Sequence, residues 1–379
     1  MDYSHKYLLR HAKVDACAQE ADDWNPKFNE AYEYRDHIYA IIDIATQVIR
    51  TKESLFTGKP FKAAPGAPPI IRVSPLGKAL LWAMGLDVGG IRRHFVHHEF
   101  CPTISTFLNL AWSFKQIIPY PQNSLNQQTL PLYLQFVSNL KRAAKEKGLL
   151  EAESNQRRKM RKNVRRFHEV VDILFHNHAR LCVVRLDVGF NRAHRESLEK
   201  QGKEIDSSHF TKCLNNLIRY VKNDFPSFLG YGLNIEYGPW KKLHSHVLLF
   251  FNGRDVKDDV EIAKVIGDHW KQKITAGTGG YYNCNRNKRR FEIHGLSGLG
   301  TIRYDEPGKR VNLMRTATYL MKEDHFIKLA VPGITKAFRS SDMPIKRETP
   351  LGRPRKPKLS LADICEPFRI SVLPQVKTR

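Results

Sequence analysis

Two short polar motifs could do chemistry in this chain. The first is a His-Ser-His triplet at residues 244–246, which leads into a run of apolar residues ending at Phe251. The second is Tyr319, followed three residues later by Lys322. Imidazole nitrogens bind divalent cations, and a phenol beside a cation is a nucleophile for phosphoryl transfer. Together the two motifs predict a metal site and a nucleophile that cut a nucleic-acid strand.

The triplet needs a third ligand before it can hold a cation. Side chains alternate between the two faces of a strand, so His244 and His246 project from the same face, about 7 Å apart. If residues 237–243 form a hairpin loop, Glu236 lies directly opposite His244 on that face. One carboxylate and two imidazoles leave coordination positions open for water and a phosphate oxygen. The alternative is that both histidines are ordinary strand residues that face solvent or hydrogen-bonded partners.

The tyrosine motif is expected on a helix over residues 313–322. Its apolar stripe recurs at helical spacing and consists of Leu313, Ala317 and Leu320. The opposite face then presents a phenol flanked by two cations, formed by Arg315, Tyr319 and Lys322. Such cations favour the phenolate and hold a phosphate. The alternative is a solvent-exposed tyrosine beside a lysine, which is commonplace on helices.

The charge balance predicts a polyanionic partner. The 379 residues contain 62 Lys and Arg against 38 Asp and Glu, which gives a formal net charge of +24. Neutralising phosphates releases counterions, so such an excess supplies affinity for nucleic acid of any sequence. The alternative is a soluble protein that is merely basic.

Two basic segments are candidates for the DNA contact. In a Pro-rich segment near the C-terminus, Arg353 and Arg355 belong to a Gly-Arg-Pro-Arg core that resembles an AT-hook, which lies in the A·T minor groove. The densest basic run spans residues 157–166 and is predicted to contact backbone phosphates. Its cations are Arg157, Arg158, Lys159, Arg161, Lys162, Arg165 and Arg166.

The remaining composition indicates a cytoplasmic protein. Its six cysteines form no Cys-x-x-Cys pair, which argues against a disulfide scaffold and fits a reducing compartment. The first residues lack the features of a secretion signal, and no apolar run reaches the roughly 18 residues that span a bilayer. We therefore expect no membrane association.

Apolar periodicity predicts an α+β fold. Residues 1 to about 150 are mainly helical in pattern, with one stripe from Ile38 to Ile49 and a less regular one that includes Phe107, Ala111 and Trp112. Further along the chain, strands and helical stripes follow in the order β-α-β-β-α-β-α, which indicates an antiparallel sheet with helices packed on it. The strands are predicted at Leu181–Val188, Tyr231–Tyr237, Leu243–Phe251, near Tyr281 and at Thr301–Tyr304, and the helical stripes at Phe210–Val221 and at Ile262, Val265, Ile266 and Trp270.

These patterns divide the chain into four segments. Residues 1–150 form a mainly helical region that could dock DNA or a partner, and residues 151–178 form a basic helical linker. Residues 179–338 contain the predicted chemistry, and residues 339–379 form a basic, Pro-rich and flexible tail.

With both motifs in hand, the chain resembles the HUH single-strand endonucleases, which include rolling-circle replication initiators, relaxases and related transposases. More narrowly, residues from about 165 to 340 resemble the inovirus gene-II-type initiators and their bacterial prophage relatives, the YagK/YfjJ-like proteins. The first strand of the family matches Val183–Phe190, its metal motif matches His244 and His246, and its nucleophile motif matches Tyr319 with Lys322. Glu236 stands where many relatives place a third metal ligand.

The resemblance implies both a fold and a reaction. The family fold is a ferredoxin/RRM-like antiparallel sheet of about five strands with flanking helices. The reaction is a nick in one DNA strand at a replication origin, in which Tyr319 attacks a phosphate polarised by Mg²⁺ or Mn²⁺ and forms a 5′-phosphotyrosine. Lys322 and Arg315 would assist. The partners would be origin DNA, single-stranded at the nick, and the replication machinery of a bacterial host.

This sequence departs from the family pattern at two positions. The residue between the two histidines is usually hydrophobic, whereas Ser245 is polar, and two-tyrosine relatives carry a second tyrosine where Glu323 stands. A one-tyrosine enzyme would need another protomer or another group for a second cleavage. The open alternatives are a transposase or relaxase with the same chemistry, and a catalytically inactive prophage regulator that binds DNA. Asp187, His294 and His325 are further candidates for the site.

Overall fold

A computed structural model describes residues 30–59, 70–146, 148–238, 240–289, 298–320 and 326–349. These residues form two compact units, and the division between them falls at residues 159 and 160. The first unit contains residues 30–159 and 326–328, and the second contains residues 160–320 and 329–349. The described chain is α+β, with antiparallel sheets and many helices, as the sequence predicts. None of the described helices is long and apolar enough to cross a membrane.

The first unit is mainly helical, as expected, with two small two-stranded sheets. Its core is lined by the predicted stripe that begins at Ile38, together with buried side chains such as Leu80, Phe107 and Tyr133. Strand β1 pairs with β2, and β3 pairs with β9. The elements are α1 (Glu30–Arg50), β1 (Phe56–Lys59), β2 (Ile70–Val73), α2 (Pro75–Gly85), α3 (Val88–His94), β3 (His98–Phe100), α4 (Pro102–Ile117), α5 (Leu130–Glu146) and β9 (Ile327–Leu329).

One residue of the predicted stripes in this unit is not in the core. Phe107, Leu108 and Ala111 of α4 are buried, but the indole of Trp112 is 46% exposed. Helical geometry explains the difference, because Trp112 directly follows Ala111 and therefore lies about 100° further round the helix. The expectation that Trp112 belongs to the buried stripe was wrong.

The second unit is built on a six-stranded antiparallel sheet. Strands β10, β5, β6, β4 and β7 are neighbours in that order, and β8 also pairs with β4. The strands are β4 (Arg180–Phe190), β5 (Phe228–Gly238), β6 (Lys242–Asn252), β7 (Gly279–Asn283), β8 (Gly300–Arg303) and β10 (Phe338–Ser340). Five of these strands match predicted segments; β10, which pairs with β5, has no counterpart among the predicted segments.

Helices cover both faces of this sheet. One face packs against α8 and α9 through a cluster that includes Val184, Leu217, Leu249 and Ile266. The other face packs against α6 and α10 through a cluster that includes Val183, Phe250 and Leu313. The helices are α6 (Leu149–Asn177), α7 (Arg192–Lys200), α8 (Ser207–Asp224), α9 (Asp259–His269), a π-helical turn (Trp270–Ile274) and α10 (Pro307–Leu320).

The stripe predicted for α9 is partly correct. Ile266 and Trp270 are fully buried, but Val265 is exposed. The stripe predicted for α8 is correct, because Phe210, Leu214, Leu217 and Val221 are buried.

Helix α6 lies close to the sheet because β5 contains a glycine at the contact. A Cβ atom at Gly232 would lie 2.4 Å from the Phe167 ring of α6, which is too short for any side chain larger than hydrogen. Gly232 shares a face with Asn234 and Glu236, since side chains alternate along β5. Helix α6 therefore lies on the face that carries Glu236.

The predicted basic run lies on α6, and its described side chains are exposed. Arg158, Lys159, Arg161, Lys162, Arg165 and Arg166 are all exposed, while the interleaved Val164 and Phe167 are buried. The side chain of Arg157 and the predicted DNA contacts Arg353 and Arg355 lie outside the described residues. The exposed cations form the outer face of an amphipathic helix.

An asparagine side chain completes the hydrogen bonding of β4 where two short strands meet. β8 pairs with β4 up to Val183, and β7 begins at Leu186. Between them, the fully buried Asn285 accepts a hydrogen bond from the Arg185 amide at 2.8 Å and donates to the Val183 carbonyl at 2.9 Å. Its amide nitrogen also donates to Asp259 at 2.7 Å. Asn285 thus satisfies backbone groups that neither strand reaches.

We predict that Asn285→Ala destabilises the protein by about 2–5 kcal/mol, because it leaves a buried amide and a buried carbonyl of β4 without partners. Urea denaturation of the two proteins measures this loss. Asn215→Ala is the matched control, since Asn215 is exposed and accepts a surface hydrogen bond from Arg339. A loss no larger than that of the control would show that Asn285 does not support the strand.

Candidate metal centre

His244, His246 and Glu236 lie on one face of the six-stranded sheet, in the predicted register. Glu236 is the ladder partner of His244, and Asn234 is the partner of His246. On the other side of β6, Asp187 of β4 is also a partner of His246. The connection between β5 and β6 is shorter than predicted, since the strands extend to Gly238 and from Lys242. The shortening does not alter the register, because Glu236 still lies opposite His244.

Glu236 and the two histidines form a cluster of three side chains that could bind a metal ion. One oxygen of Glu236, Oε2, lies 3.3 Å from His246 Nε2 and 3.8 Å from His244 Nε2. One nitrogen or oxygen atom from each of the three residues lies within 4.8 Å of the other two. The imidazole rings are 5.3 Å apart and nearly perpendicular. Both histidines are buried, whereas the Glu236 side chain is partly exposed.

Hydrogen bonds to their other ring nitrogens orient both imidazoles. His244 Nδ1 lies 3.0 Å from the Lys242 carbonyl, which can only accept, so this nitrogen carries a proton. His246 Nδ1 lies 2.6 Å from Asp187 Oδ1 and donates to it. In each ring the Nε2 atom therefore faces Glu236 and can bind a cation when it carries no proton. A ring nitrogen held by a carboxylate or carbonyl is the usual arrangement behind a metal-binding histidine.

A second layer of polar residues holds the ligands in place. Arg185 Nε lies 3.3 Å from Asp187 Oδ1, and both side chains are buried. On the other side of the cluster, Asn234 Nδ2 donates to Glu236 Oε1 at 3.1 Å, which leaves Oε2 directed toward the histidines. The polar Ser245 faces the opposite, apolar side of the sheet, where its hydroxyl donates to the Asn234 carbonyl at 2.9 Å. This bond explains how a serine is accommodated between the two histidines.

The charged groups shift each other's pKa values. Burial alone would raise the pKa of Asp187, but the positive charges of His246 and Arg185 outweigh burial and hold that pKa well below its usual range. Burial alone would lower the pKa of His246, but Asp187 and Glu236 raise it to about 10. Burial lowers the pKa of His244 to about 3, with a smaller contribution from Lys241. Without a cation, His246 is therefore charged at neutral pH and His244 is neutral.

The geometry fits a divalent cation. Ligand atoms about 2.1 Å from an octahedral cation lie about 3 Å from their neighbours, so the distances from Glu236 Oε2 to the two Nε2 atoms need only small side-chain rotations. Asn234 Oδ1 is buried beside the cluster and, among the described residues, has no hydrogen-bond partner. A hydrated cation would satisfy this oxygen. The donor set of one carboxylate and two imidazoles suits Mn²⁺ and leaves room for further ligands.

The helix of the second motif packs on the same face as the cluster. Leu313 and Leu320 of α10 are buried together with Leu248 and Phe250 of β6, whose side chains share a face with His244 and His246. The Tyr319 backbone lies in the last turn of α10, but its side chain and all of Lys322 lie outside the described residues. Arg315 is exposed and donates to Asn312 at 3.4 Å.

Two partly buried contacts hold α10 against α6. Arg310 donates to Asp172 at 2.7 Å. His168 Nε2 lies 3.0 Å from the Thr318 hydroxyl, one residue before Tyr319. Since that hydroxyl donates its own proton to the Met314 carbonyl, His168 must be the donor. Burial lowers the pKa of His168 to about 4, so it is neutral while it makes this bond.

The structure brings Asp187 into the centre and adds residues that sequence reasoning missed. Arg185 and Asn234 orient the cluster, and the charge of Lys241 acts on both His244 and Asp187. Period-two alternation could have found Arg185, because it shares a face with Asp187 in a strand that is otherwise almost entirely apolar. His294 and His325, also considered for the site, lie outside the described residues.

Comparison with known proteins gives one family match. Residues 141–324 match the family model described as the YagK/YfjJ C-terminal domain. The match covers just under half of the chain and includes Asp187, Glu236, both histidines and Tyr319. No curated protein and no solved structure matches the chain.

We predict that the wild-type protein binds one Mn²⁺ per chain and that Glu236→Gln and His246→Ala abolish this binding. Asp187→Asn should weaken it about 10- to 100-fold, because the acceptor that orients His246 loses its charge. Isothermal titration calorimetry measures the affinities. Asp255→Asn is the control, since Asp255 is exposed and bonds to Asn252. Wild-type affinity in Glu236→Gln would exclude the cluster as the binding site.

The affinity for Mn²⁺ should also depend on pH. Between pH 6 and 8, His246 is protonated and must release its Nε2 proton to bind a cation, whereas His244 is already neutral. Displacing one proton makes the affinity rise about tenfold for each pH unit. Titrations at pH 6, 7 and 8, in buffers of different ionisation enthalpy, report both the affinity and the protons released. An affinity that is constant over this range would show that His246 is not charged in the free protein.

Proposed function

We propose that this protein is a metal-dependent endonuclease that nicks one DNA strand through a tyrosine nucleophile, as a prophage-type replication initiator with an HUH fold. One observation carries the proposal: Glu236, His244 and His246 converge on a sheet face against which the helix containing Tyr319 packs. The order of these elements along the chain and the antiparallel sheet agree with the resemblance found in the sequence. The YagK/YfjJ match to residues 141–324 is compatible with this proposal.

The orientation of the ligands supports a catalytic centre over a structural one. A structural metal site is closed by four protein ligands, whereas a catalytic site keeps positions open. This cluster offers three ligands, and Glu236 is partly exposed at its edge. When bound, Mg²⁺ or Mn²⁺ would polarise the scissile phosphate.

The side chains of Tyr319, Lys322 and Arg315 would supply the nucleophile and stabilise the charge that develops on it and on the phosphate. In the proposed reaction the Tyr319 oxygen forms a bond to phosphorus, and the bond from phosphorus to the 3′ oxygen breaks. The phenol proton is lost to solvent, and the leaving 3′ oxygen takes up a proton as it becomes a 3′-OH. Lys322 and Arg315 favour the phenolate and balance the charge of the phosphate. Because the ester keeps the energy of the broken bond, the 3′-OH can later reseal the strand without a nucleotide cofactor.

The charge of the chain supports a DNA substrate. Four exposed cations of the second unit, Arg161, Lys162, Arg165 and Arg166, lie along α6, which packs on the same sheet face as α10. Contacts from such side chains to backbone phosphates position a strand without reading its sequence. We propose that these cations hold DNA beside the metal centre, and that the substrate is single-stranded at the nick.

We predict that the wild-type protein forms a covalent adduct with a labelled single-stranded oligonucleotide when Mn²⁺ is present, and that Tyr319→Phe forms none. The substrate is drawn from a mixture of random oligonucleotides, because the origin sequence is unidentified, and adducts are detected on denaturing gels. Chelation of the metal and Glu236→Gln should also abolish the adduct. Tyr120→Phe is the control, because Tyr120 is an exposed tyrosine of the first unit.

A second tyrosine variant sharpens this experiment. Tyr282 is buried and is the ladder partner of Asp187, so it lies on the face of the metal centre. Its hydroxyl accepts a hydrogen bond from Asn287 at 2.7 Å. Tyr282→Phe should retain adduct formation. An adduct formed by Tyr319→Phe but lost in Tyr282→Phe would contradict the assignment of Tyr319 as the nucleophile.

A further inference from the structure

We propose that the first unit binds single-stranded nucleic acid on an aromatic and cationic surface around α3, separately from the metal centre. This stacking surface consists of Trp82, Arg92, Arg93 and Trp112 together with the ring of His94. It lies in the part of the chain outside the family match. The proposal does not depend on the nicking reaction.

Two large aromatic side chains of the first unit are exposed where the fold would normally bury them. Trp112 is 46% exposed and Trp82 is 42% exposed. Indoles are enriched at interfaces, where one side of the ring stays apolar, so the two exposed rings are candidate contact points for a partner. Each belongs to a helix, α4 or α2, whose other side packs into the core. Both rings are thus presented from rigid elements.

Arginine is positioned over one of these rings. The Arg92 guanidinium lies 5.7 Å from the centre of the Trp112 ring, and its NH2 group donates to Asn109 at 2.6 Å. This contact fixes the arginine side chain but uses one of its five N–H groups. The remaining donors can bind a phosphate while the indole stacks on the attached base. Paired stacking and phosphate contacts are how proteins hold single strands without regard to sequence.

Further rings continue the surface from α3 toward Trp82. The rings of His94 and Tyr34 lie 5.2 Å apart, those of Tyr34 and His37 lie 6.1 Å apart, and those of His37 and Trp82 lie 5.7 Å apart. Tyr34 reaches α3 because Gly90 has no side chain; a Cβ there would lie 2.3 Å from the Tyr34 hydroxyl. Helix α3 therefore has an aromatic side chain in contact with its backbone on one side and an Arg92–Trp112 pair on another.

The charges favour a polyanion over another protein. Three basic residues, Arg92, Arg93 and His94, occupy the last turn of α3. The acidic Asp87 caps the start of the same helix through the Gly90 amide and lies 3.8 Å from Arg93. The exposed Trp112 indole with the Arg92 guanidinium over it is complementary to a base and its phosphate.

A single strand suits this surface better than a duplex. The bases of a duplex are stacked on one another and cannot stack on an indole, whereas those of a single strand can. Helix α3 spans seven residues and is about 10 Å long, too short to read a major groove along its length. The surface therefore fits unpaired nucleotides.

The test uses the full chain, a fluorescein-labelled oligo-dT of 20 nucleotides and a chelator that prevents any nicking. Anisotropy titrations over a range of salt concentrations give the affinity and its salt dependence. Trp112→Ala should weaken binding about 5- to 100-fold with an unchanged salt slope, because it removes stacking and no charge. Arg92→Ala should make the negative slope of log affinity against log salt less steep by about 0.7, the change expected for one lost phosphate contact on a single strand. Trp112→Phe should retain most of the affinity.

Matched controls come from the exposed surface of α5. Leu134→Ala removes an exposed apolar side chain, and Arg142→Ala removes an exposed arginine that is paired with Glu146. Neither should change the affinity or the salt slope. A double-stranded 20-mer should bind wild type and Trp112→Ala equally.

Photocrosslinking of the wild-type chain tests the contact without a substitution. An oligonucleotide that contains 5-iodouracil should crosslink to Trp82 or Trp112, as identified by mass spectrometry.

The proposal is overturned if Trp112→Ala and Arg92→Ala bind oligo-dT like wild type, or if all crosslinks fall within residues 160–349. It is also overturned if Trp112→Ala changes only the oligomeric state measured by light scattering, since the surface would then bind protein. Because no metal is present, failure of the nicking reaction would not affect this result.

Discussion

The candidate site depends on the pairing register of three neighbouring strands. That register places Glu236 beside His244 and sets Asn234 and Asp187 on either side of His246. Since successive side chains point to opposite faces, a slip of one residue between β5 and β6 would move Glu236 to the apolar side of the sheet. The apolar residues of the sheet oppose such a slip. Those on one face pack against α6 and α10, and those on the other face pack against α8 and α9. The core that stabilises the fold therefore also fixes the positions of the polar cluster.

Burying this cluster is costly, and its composition shows how the cost is offset. Each isolated charge taken from water would cost several kcal/mol. Arg185 and Asp187 are both buried and pair at 3.3 Å, while Asp187 also accepts a hydrogen bond from His246 Nδ1. The charges alternate in sign from Arg185 through Asp187 and His246 to Glu236. The polar contacts therefore orient these side chains without a bound cation.

The sequence was sufficient to predict that Glu236, His244 and His246 cluster, because strand geometry is simple. A period of two places His244 and His246 on one face, and a hairpin of suitable length brings Glu236 opposite them. The α+β class and most strands followed from the same periodicity. Whether the sheet is an HUH fold remains part of the proposal, as do the roles of Tyr319, Lys322 and Arg315.

Other features could not be derived because they depend on tertiary contacts. The β4 ladder is completed by Asn285, which lies 100 residues beyond Arg185 in the sequence. The bond from His168 to Thr318 spans 150 residues. Helical spacing groups Trp112 with Phe107 and Ala111, but the direction that a helical residue faces depends on which neighbours pack against the helix. Its exposure is the basis for the nucleic-acid surface inferred on the first unit.

Anomalous X-ray diffraction from crystals soaked in Mn²⁺ would show whether Glu236, His244 and His246 together hold a cation. We expect a single strong peak about 2.2 Å from Glu236 Oε2 and from both Nε2 atoms, with the Tyr319 hydroxyl facing it. A peak bound elsewhere, or imidazoles whose Nε2 atoms point away from the manganese, would rule out this cluster as the cation site.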